Sequence, residues 1–356
     1  MDFTFTDDQI ALRDSMRRFL MIEAAPEMLR EIWETDHGRS PSLRAKIAEQ
    51  GLTGLSVPEA EGGLGLGDLD WALMTQELGY FAIPDSLADT AYVAAGLLAA
   101  LPAGHALRAQ WLPRVADGSC RVAVGHPVNP WVADAQGADL LLLPHAVAGE
   151  LTLHAVPRAR VQPVASASID ASRRLSQVQW QATAQTLVAE ARDARALWDD
   201  ALDRGALNVA GQLVGLAQRM LDMSIDYAAQ RKQFGRPIGS FQAVKHQLAD
   251  VATKIEFAKP VLYRAAYALA QCEPQRALRV SHAKLACADA AWSAARKGIQ
   301  VHGAMGYTWE VDLQMFMKRA WALDAAWGDR AFHKARLADA LLADGAPLGP
   351  GVTFNS

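Results

Sequence analysis

Cysteine, long apolar runs and clustered positive charge are all scarce in this sequence of 356 residues. The three cysteines, Cys120, Cys272 and Cys287, follow no metal-ligand spacing, and so few thiols indicate a reducing compartment rather than a disulfide framework. The apolar run at residues 91–101 is too short to span a bilayer, and the acidic N-terminus lacks the pattern of a signal peptide. We therefore expect a cytoplasmic protein with no membrane segment and no metal site.

Positive charge shows no excess, because 35 Lys and Arg residues stand against 39 Asp and Glu residues. The resulting formal charge of -4 comes without any Lys/Arg-rich run that could neutralise a phosphate backbone. Nucleic acid is therefore not expected as a partner. Hydrophobic residues make up 51% of the chain, which supplies the cores of two or three packed units.

The apolar pattern predicts three regions and a tail. Residues 1–118 are helical, beginning with a helix that Thr6 caps and that carries Asp7 and Asp8 in its first turn. Residues 119–185 form a small β-domain, residues 186–345 four long amphipathic helices in a bundle, and residues 346–356 a loose tail. Four stretches of the β-domain are predicted as strands: residues 121–124, 140–143, 151–156 and 175–180.

Two motifs stand in the C-terminal helical region. Segment 231–242 reads Arg-Lys-Gln-Phe-Gly-Arg-Pro-Ile-Gly-Ser-Phe-Gln, and segment 300–308 reads Gln-Val-His-Gly-Ala-Met-Gly-Tyr-Thr. An arginine at a helix–loop boundary offers a guanidinium fork to a pyrophosphate, and glycines at 303 and 306 let the backbone approach a ligand. Taken singly, these residues would be a solvated helix end and core aromatics. Their ordered combination favours a ligand site.

Both motifs, and the order of helical, small β and helical regions, resemble the acyl-CoA dehydrogenase flavoenzymes. The resemblance implies a mainly α fold with a small β-domain between an N-terminal helical domain and a C-terminal four-helix bundle. It also implies FAD as cofactor, an acyl-CoA as substrate and an electron-transfer flavoprotein as electron acceptor. The implied cofactor contacts are Arg231, Gln233, Phe234, Phe241, Gln242, Gln300, Gly303 and Ala304, the last of which replaces a second glycine. His302, in the same loop, is expected to be packed rather than catalytic.

The carboxylate that accepts the substrate α-proton in this family has no counterpart here. Trp327 or Gly328, depending on register, stands at the usual position of that glutamate, and Gly205 stands at the second position known in the family. Neither an indole nor a bare backbone can accept a proton, so no catalytic residue is assigned. Three nearby acids remain as alternatives: Asp203, Asp324 and Asp329. A shift of one helical residue turns a side chain by about 100°, so a displaced acid is no simple replacement.

Other family features are missing from the same side of the site. Segment 125–130 is the nearest remnant of the β-domain runs that hold the flavin ring, the β-domain is abbreviated, and segment 329–332 replaces a Thr-Ser-x-Gln run. In the family each FAD lies across a dimer interface. This chain keeps what a neighbour donates and lacks the ring-end contacts and the base.

This pattern is similar to the shortened subunits of bacterial α2β2 acyl-CoA dehydrogenases, which oxidise CoA thioesters of sterol side chains and other bulky acids. The hypothesis is a subunit that completes the flavin site of a related partner, and the partner supplies the base and the ring-end contacts. Two alternatives stay open: a catalytically silent structural subunit, and a self-sufficient homo-oligomer with a relocated aspartate base.

Overall fold

Helices dominate the fold. The structure is a computed structural model that describes residues 4–35, 38–147 and 149–346. The helices are α1 (Asp7–Glu23), α2 (Pro26–Glu34), α3 (Pro41–Glu49), α4 (Asp68–Tyr80), α5 (Ala95–Ala99), α6 (Ala106–Ala116), α7 (Ala191–Gln230), α8 (Gln242–Ala270), α9 (Arg276–His302), α10 (Leu313–Asp324) and α11 (Arg330–Leu341). The strands are β1 (Val122–Val124), β2 (Val132–Ala133), β3 (Leu140–Val147), β4 (Glu150–Pro157), β5 (Gln162–Ser166), β6 (Leu175–Gln179), β7 (Leu187–Ala189), β8 (Lys232–Gln233) and β9 (Arg236–Pro237). Within the described ranges, no helix combines the length and apolarity that a bilayer span requires.

Helix α1 begins with the cap that its sequence predicts. The backbone N–H of Gln9 donates to Thr6 Oγ1 at 3.2 Å, and the backbone N–H of Thr6 donates to Gln9 Oε1 at 3.1 Å. Asp7 and Asp8 place negative charge in the first turn, where it interacts favourably with the helix dipole. The predicted cap is therefore confirmed, in the form of a reciprocal capping box.

The region between α6 and α7 contains two small sheets. One has the strand order β1-β3-β4-β7, with β1 and β3 parallel, and the other has the antiparallel order β2-β6-β5. All four predicted strands are present, and β2, β5 and β7 are additional. Because β7 pairs with β4, the sheet extends beyond residue 185, and helix α7 begins at Ala191 rather than at residue 186. The other predicted domain limits stay a prediction.

The chain forms two compact units. The first unit takes in the N-terminal residues up to Met21, Ala72–Phe81 and the chain from Val209 onward; the second takes in Ile22–Trp71 and Ala82–Asn208. The second unit contains the sheets, whose apolar core includes Leu141, Leu143 and Val156. The first unit contains the C-terminal helices, with α10 and α11 of 12 residues each. Of the predicted tail, residues 347–356 lie outside the described part of the chain.

Candidate functional site

The first motif folds as a two-residue β-hairpin after the end of α7. Gln233 of β8 faces Arg236 of β9, and Phe234 and Gly235 form the turn with φ of +53° and +75°. Positive φ at both central residues is the geometry of a type I′ turn. The backbone N–H of Ile238 donates to the carbonyl of Arg231 at 2.7 Å, so the hairpin is closed at its base. The Arg231 side chain is exposed.

The aromatic rings of the hairpin lie at the surface of the first unit. Phe234 is 91% exposed, and its ring meets that of Phe241 edge-on at a centroid distance of 6.1 Å. The guanidinium of Arg236 lies 4.2 Å from the centre of the Phe241 ring. Sequence reasoning missed Arg236, although a hairpin register through Phe-Gly would have placed it opposite Gln233. Together Arg231 and Arg236 give this surface two exposed cations beside two aromatic rings.

The second motif begins where α9 ends. His302, the last residue of α9, is 5% exposed, and its ring stacks on that of Tyr227 at 4.2 Å with an interplanar angle of 23°. Its Nδ1 donates to the carbonyl of Gly298 at 2.8 Å, and burial lowers its pKa. The prediction that His302 is packed is confirmed. Since the backbone N–H of Arg231, just after the end of α7, donates to the carbonyl of Tyr227 at 2.8 Å, the stack also links the two motifs.

The loop after His302 presents open backbone. Gly303 has φ +65° and ψ -145°, a conformation that essentially only glycine adopts. Apart from Gly303 and its chain neighbours, no atom of the described residues lies within 4 Å of a Cβ added at Gly303, and Gln300 and Ala304 are exposed. A ligand could therefore reach this backbone without obstruction.

All eight sequence-predicted cofactor residues belong to the first unit. Phe241 is half-buried and the other seven are exposed. Cationic guanidinium, aromatic rings, amide side chains and accessible glycine backbone are the groups that a dinucleotide with a pyrophosphate needs. The residues present are thus chemically suited to FAD. Their assignment as cofactor contacts stays a prediction.

The turn between α10 and α11, where the sequence predicts the usual base position of the family, is tightly packed. Trp327 is 4% exposed with φ +55°, and Gly328 has φ +90°. A Cβ added at Gly328 would lie 2.5 Å from Phe332 Cδ1 and 2.8 Å from His333 Nε2. Neither residue offers a carboxylate, and no larger residue fits at 328 without displacing its neighbours.

Two buried polar side chains, missed by sequence reasoning, fix this turn. Lys284, 1% exposed, donates from Nζ to the carbonyls of Asp324 at 2.7 Å and Gly328 at 3.2 Å. His333, fully buried, donates from Nε2 to the carbonyl of Trp327 at 2.9 Å and bonds through Nδ1 to Ser281 Oγ at 3.1 Å. Burial, followed by the nearby charge of Lys284, lowers the pKa of His333 to about 4. The imidazole is therefore neutral near pH 7.

Two of the alternative acids have structural partners. Asp329 caps α11 by accepting the backbone N–H of Phe332 at 2.8 Å. Asp324 accepts from Arg330 Nε at 2.8 Å. Asp203, 1% exposed, and the buried Gly205 lie on α7 in the second unit. Nothing in these contacts marks Asp324 or Asp329 as a base.

The β-domain remnant at residues 125–130 is a histidine-stabilised turn. His126 Nδ1 accepts the backbone N–H of Val128 at 3.1 Å, so its Nε2 donates to the carbonyl of Trp198 at 3.0 Å. The rings of His126 and Trp198 meet edge-on at a centroid distance of 5.6 Å. Across the described residues, no group of three or more His, Cys, Asp or Glu side chains is arranged to hold a metal ion.

Comparison with known proteins identifies the class of this chain. Two family models match it: Acyl-CoA dehydrogenase, N-terminal domain, over residues 6–119, and Acyl-CoA dehydrogenase, C-terminal domain, over residues 196–342. The chain belongs to the acyl-CoA dehydrogenase family, whose members are oxidoreductases acting on acyl-CoA. A particular relative is acyl-CoA dehydrogenase IpdE2 of Mycobacterium tuberculosis, 34% identical over 317 residues that cover 88% of this chain and 91% of that protein.

Solved structures confirm the predicted fold. A chain of the ChsE4-ChsE5 complex from Mycobacterium tuberculosis superimposes with a TM-score of 0.84 at 23% identity, covering 96% of this chain and 99% of that chain. A variant of the Tcur3481-Tcur3483 steroid ACAD superimposes with a TM-score of 0.85 at 24% identity, with coverage of 96% and 99%. The acyl-CoA dehydrogenase fold inferred from the sequence is therefore correct.

Proposed function

We propose that this chain is one subunit of a hetero-oligomeric acyl-CoA dehydrogenase and that it lacks the catalytic base. In this proposal the hairpin and the Gly303 loop complete an FAD site whose ring-end contacts and carboxylate come from a related partner subunit. The reaction is α,β-dehydrogenation of an acyl-CoA thioester to a 2-enoyl-CoA. When bound, FAD supplies the acceptor for the hydride from the β-carbon.

One contrast carries the proposal. The predicted base position is occupied by Trp327 and Gly328, which are buried, carry no carboxylate and are held by Lys284 and His333, whereas seven of the eight candidate cofactor residues are exposed on the same unit. A chain acting alone needs a proton acceptor within hydrogen-bond reach of the α-carbon. Exposed aromatic rings at a candidate site are expected where another molecule covers them. Both observations favour a site shared with a second chain.

Each candidate residue has a distinct role in the proposed cradle. The Arg231 guanidinium would pair with the pyrophosphate, and the rings of Phe234 and Phe241 would pack against the nucleotide. The amides of Gln233, Gln242 and Gln300 would donate or accept hydrogen bonds, and the backbone at Gly303 and Ala304 would approach the cofactor closely. Trp327, Gly328 and Gly205 would take no part in proton transfer.

The substrate class and the partners are further parts of the proposal. One structural relative is named as a steroid ACAD and another as a complex of two different chains, which supports a bulky acyl group and a related partner subunit. An electron-transfer flavoprotein as electron acceptor rests on family analogy. A cytoplasmic location remains an expectation from the sequence.

Replacement of Arg231 tests whether this chain contributes to a flavin site. In a complex with a dehydrogenase-like chain encoded beside its gene, Arg231→Ala should weaken FAD retention about tenfold or more, because a hydrogen bond to a charged group contributes about 1.5–3 kcal/mol. The measurement is flavin absorbance per complex after dialysis. Arg18→Ala, at an exposed arginine of α1 in the same unit, is the matched control and should retain the flavin.

The outcome also distinguishes a subunit that shares a flavin site from a catalytically silent structural subunit. Equal flavin content in the Arg231→Ala and Arg18→Ala complexes would mean that the chain is a structural spacer. Flavin loss on replacement of Arg231 alone would support a shared site.

A further inference from the structure

Three arginines line a cavity of about 290 Å³ in the second unit. They are Arg39, Arg121 and Arg174, and one carboxylate, Asp134, faces them. None of these residues belongs to either flavin motif or to a family base position. The lining therefore carries an excess of positive charge that the proposed function does not use.

Arg39 and Asp134 form one satisfied wall of this cavity. Arg39 Nε donates to Asp134 Oδ2 at 3.0 Å, and a second donor of the same guanidinium bonds Asp134 Oδ1. A third donor bonds the carbonyls of Gly38, at 2.6 Å, and Ser172. This bidentate pair neutralises its own charges and leaves those of the other two arginines.

Arg121 and Arg174 keep donors for a ligand. In both, the Nε atom is buried and has no hydrogen-bond partner among the described residues. Arg174 uses one other nitrogen to bond the carbonyl of Thr35 at 2.5 Å. An outer nitrogen of Arg121 forms an ion pair with Asp85 Oδ2 at 3.7 Å, a distance too long for a hydrogen bond. A buried charged donor without a partner is costly, so a bound acceptor would be stabilising.

The carboxylates around the cavity are already engaged. Asp85 accepts from Arg44 at 3.0 Å, Asp139 accepts the backbone N–H of Arg121 at 2.9 Å, and Asp170 accepts from the Ser172 hydroxyl at 2.6 Å. No described acid is thus placed to satisfy the two Nε atoms.

Two glycines lie beside the guanidinium groups of Arg174 and Arg121. Gly38 has φ +58°, and a Cβ added there would lie 2.0 Å from Arg174 Nε, so a side chain at 38 would displace the guanidinium. A Cβ added at Gly137 would lie 4.0 Å from an outer nitrogen of Arg121. Helix α3 begins at Pro41 on the cavity lining, and the positive end of its dipole adds to the attraction for an anion.

We propose that this cavity binds a phosphate group, with its oxygens accepting from Arg121 and Arg174. A tetrahedral oxyanion offers several acceptors at once to two guanidinium groups, and arginine is the side chain best suited to such pairing. The group could be inorganic phosphate or the phosphate of a nucleotide. Both would present the same phosphate oxygens to the two arginines, and separate probes distinguish the two sources.

Calorimetric titration of the full chain tests the proposal. Inorganic phosphate and adenosine 3′,5′-bisphosphate are titrated separately at constant ionic strength into wild type, Arg121→Gln and Arg174→Gln. Each replacement should weaken binding about tenfold or more, because it removes a hydrogen bond to a charged group. Arg195→Gln, at an exposed arginine of α7 in the same unit, should bind as wild type does.

The outcomes assign the source or overturn the site. Binding of inorganic phosphate means that the phosphate group suffices, whereas binding of the bisphosphate alone means that the nucleotide is required. Absence of saturable binding of either probe to wild type, or equal binding by the arginine variants, would overturn the proposal. If a variant does not fold, protection of Arg121 and Arg174 of the wild type from phenylglyoxal by the same probes gives the same decision.

Discussion

Phe234 occupies a position where little within the chain itself favours a phenylalanine. Its backbone has φ +53°, a region that costs an ordinary L-residue about 1–2 kcal/mol, and its ring is 91% exposed. Neither local backbone preference nor burial within the chain therefore favours phenylalanine at this turn. A contact outside the chain would supply the missing stabilisation. That is the role proposed for it beside FAD.

The sequence predicts which residues carry the candidate site, but not how they are displayed. The motif marked Arg231 and Phe234 as cofactor residues, yet the exposure of Phe234 and the stacking of Arg236 on Phe241 depend on the hairpin geometry. Lys284 had a usable signal, because it lies four residues after Val280 on the apolar stripe of α9. A cation at such a position is buried only with partners, and here the partners are two carbonyls.

At His333 the buried neutral imidazole predicts a specific dependence on pH. Its pKa in the folded chain is about 4, below its ordinary value of 6.5, so its contribution to stability is complete above pH 6.5 and falls as the pH drops toward 4. Between pH 7 and pH 4.5 the protonation of His333 should lower the free energy of unfolding of the wild type by about 2–3 kcal/mol. In His333→Gln the free energy of unfolding should therefore fall by that much less over the same interval, as measured by urea denaturation.

An exposed histidine of the same unit provides the control for this experiment. His246→Gln should leave the pH dependence of the wild type unchanged. Parallel curves for wild type and His333→Gln would contradict the buried neutral state of His333.

Among the elements, α4 and α7 approach each other through glycines in the first unit. A Cβ added at Gly79 of α4 would lie 2.0 Å from the carbonyl oxygen of Gln212 of α7, and one added at Gly215 of α7 would lie 1.9 Å from that of Gln76. Backbone atoms cannot move aside as a flexible side chain can. The distance between the two helices here is therefore set by the lack of side chains at these positions.

Gly79→Ala should lower the free energy of unfolding by about 2 kcal/mol, because overpacking against backbone, at about 3 kcal/mol, outweighs the gain of about 1 kcal/mol in helix propensity. Urea denaturation measures the change. Gly104→Ala, where the added Cβ meets no described residue within 4 Å apart from its chain neighbours, should change stability by about 0.5 kcal/mol or less. Near-equal stability of the two variants would rule out the close helix contact.

The sequence predicts the four strands with clear apolar or alternating runs, the three-residue β1 included, and misses β2, β5 and β7. Strand β5 contains Pro163 and is an edge strand, a place where proline is tolerated but where it argues against a strand in the sequence. Strands β2 and β7 have two and three residues, too few for a period to appear. The turn of the β8–β9 hairpin is Phe-Gly instead of the usual Asn-Gly or Asp-Gly, so the sequence contains no pattern that predicts this hairpin.

For the whole molecule, the family and the fold follow from ordered motifs spread along the chain, whereas the proposal of a partner subunit rests on what those motifs lack. The cofactor residues and the packed Trp327–Gly328 turn both belong to the first unit. Packing explains why the turn cannot simply regain its acid. A carboxylate at 328 would collide with Phe332 and His333.

Purification of the chain without any partner tests the central proposal most directly. The measurements are flavin absorbance per chain and turnover of acyl-CoA thioesters, including bulky ones, with an artificial electron acceptor. We expect little retained FAD and no turnover, because half of the cradle and the proton acceptor are missing. A flavin-loaded preparation that dehydrogenates acyl-CoA by itself would contradict the proposal.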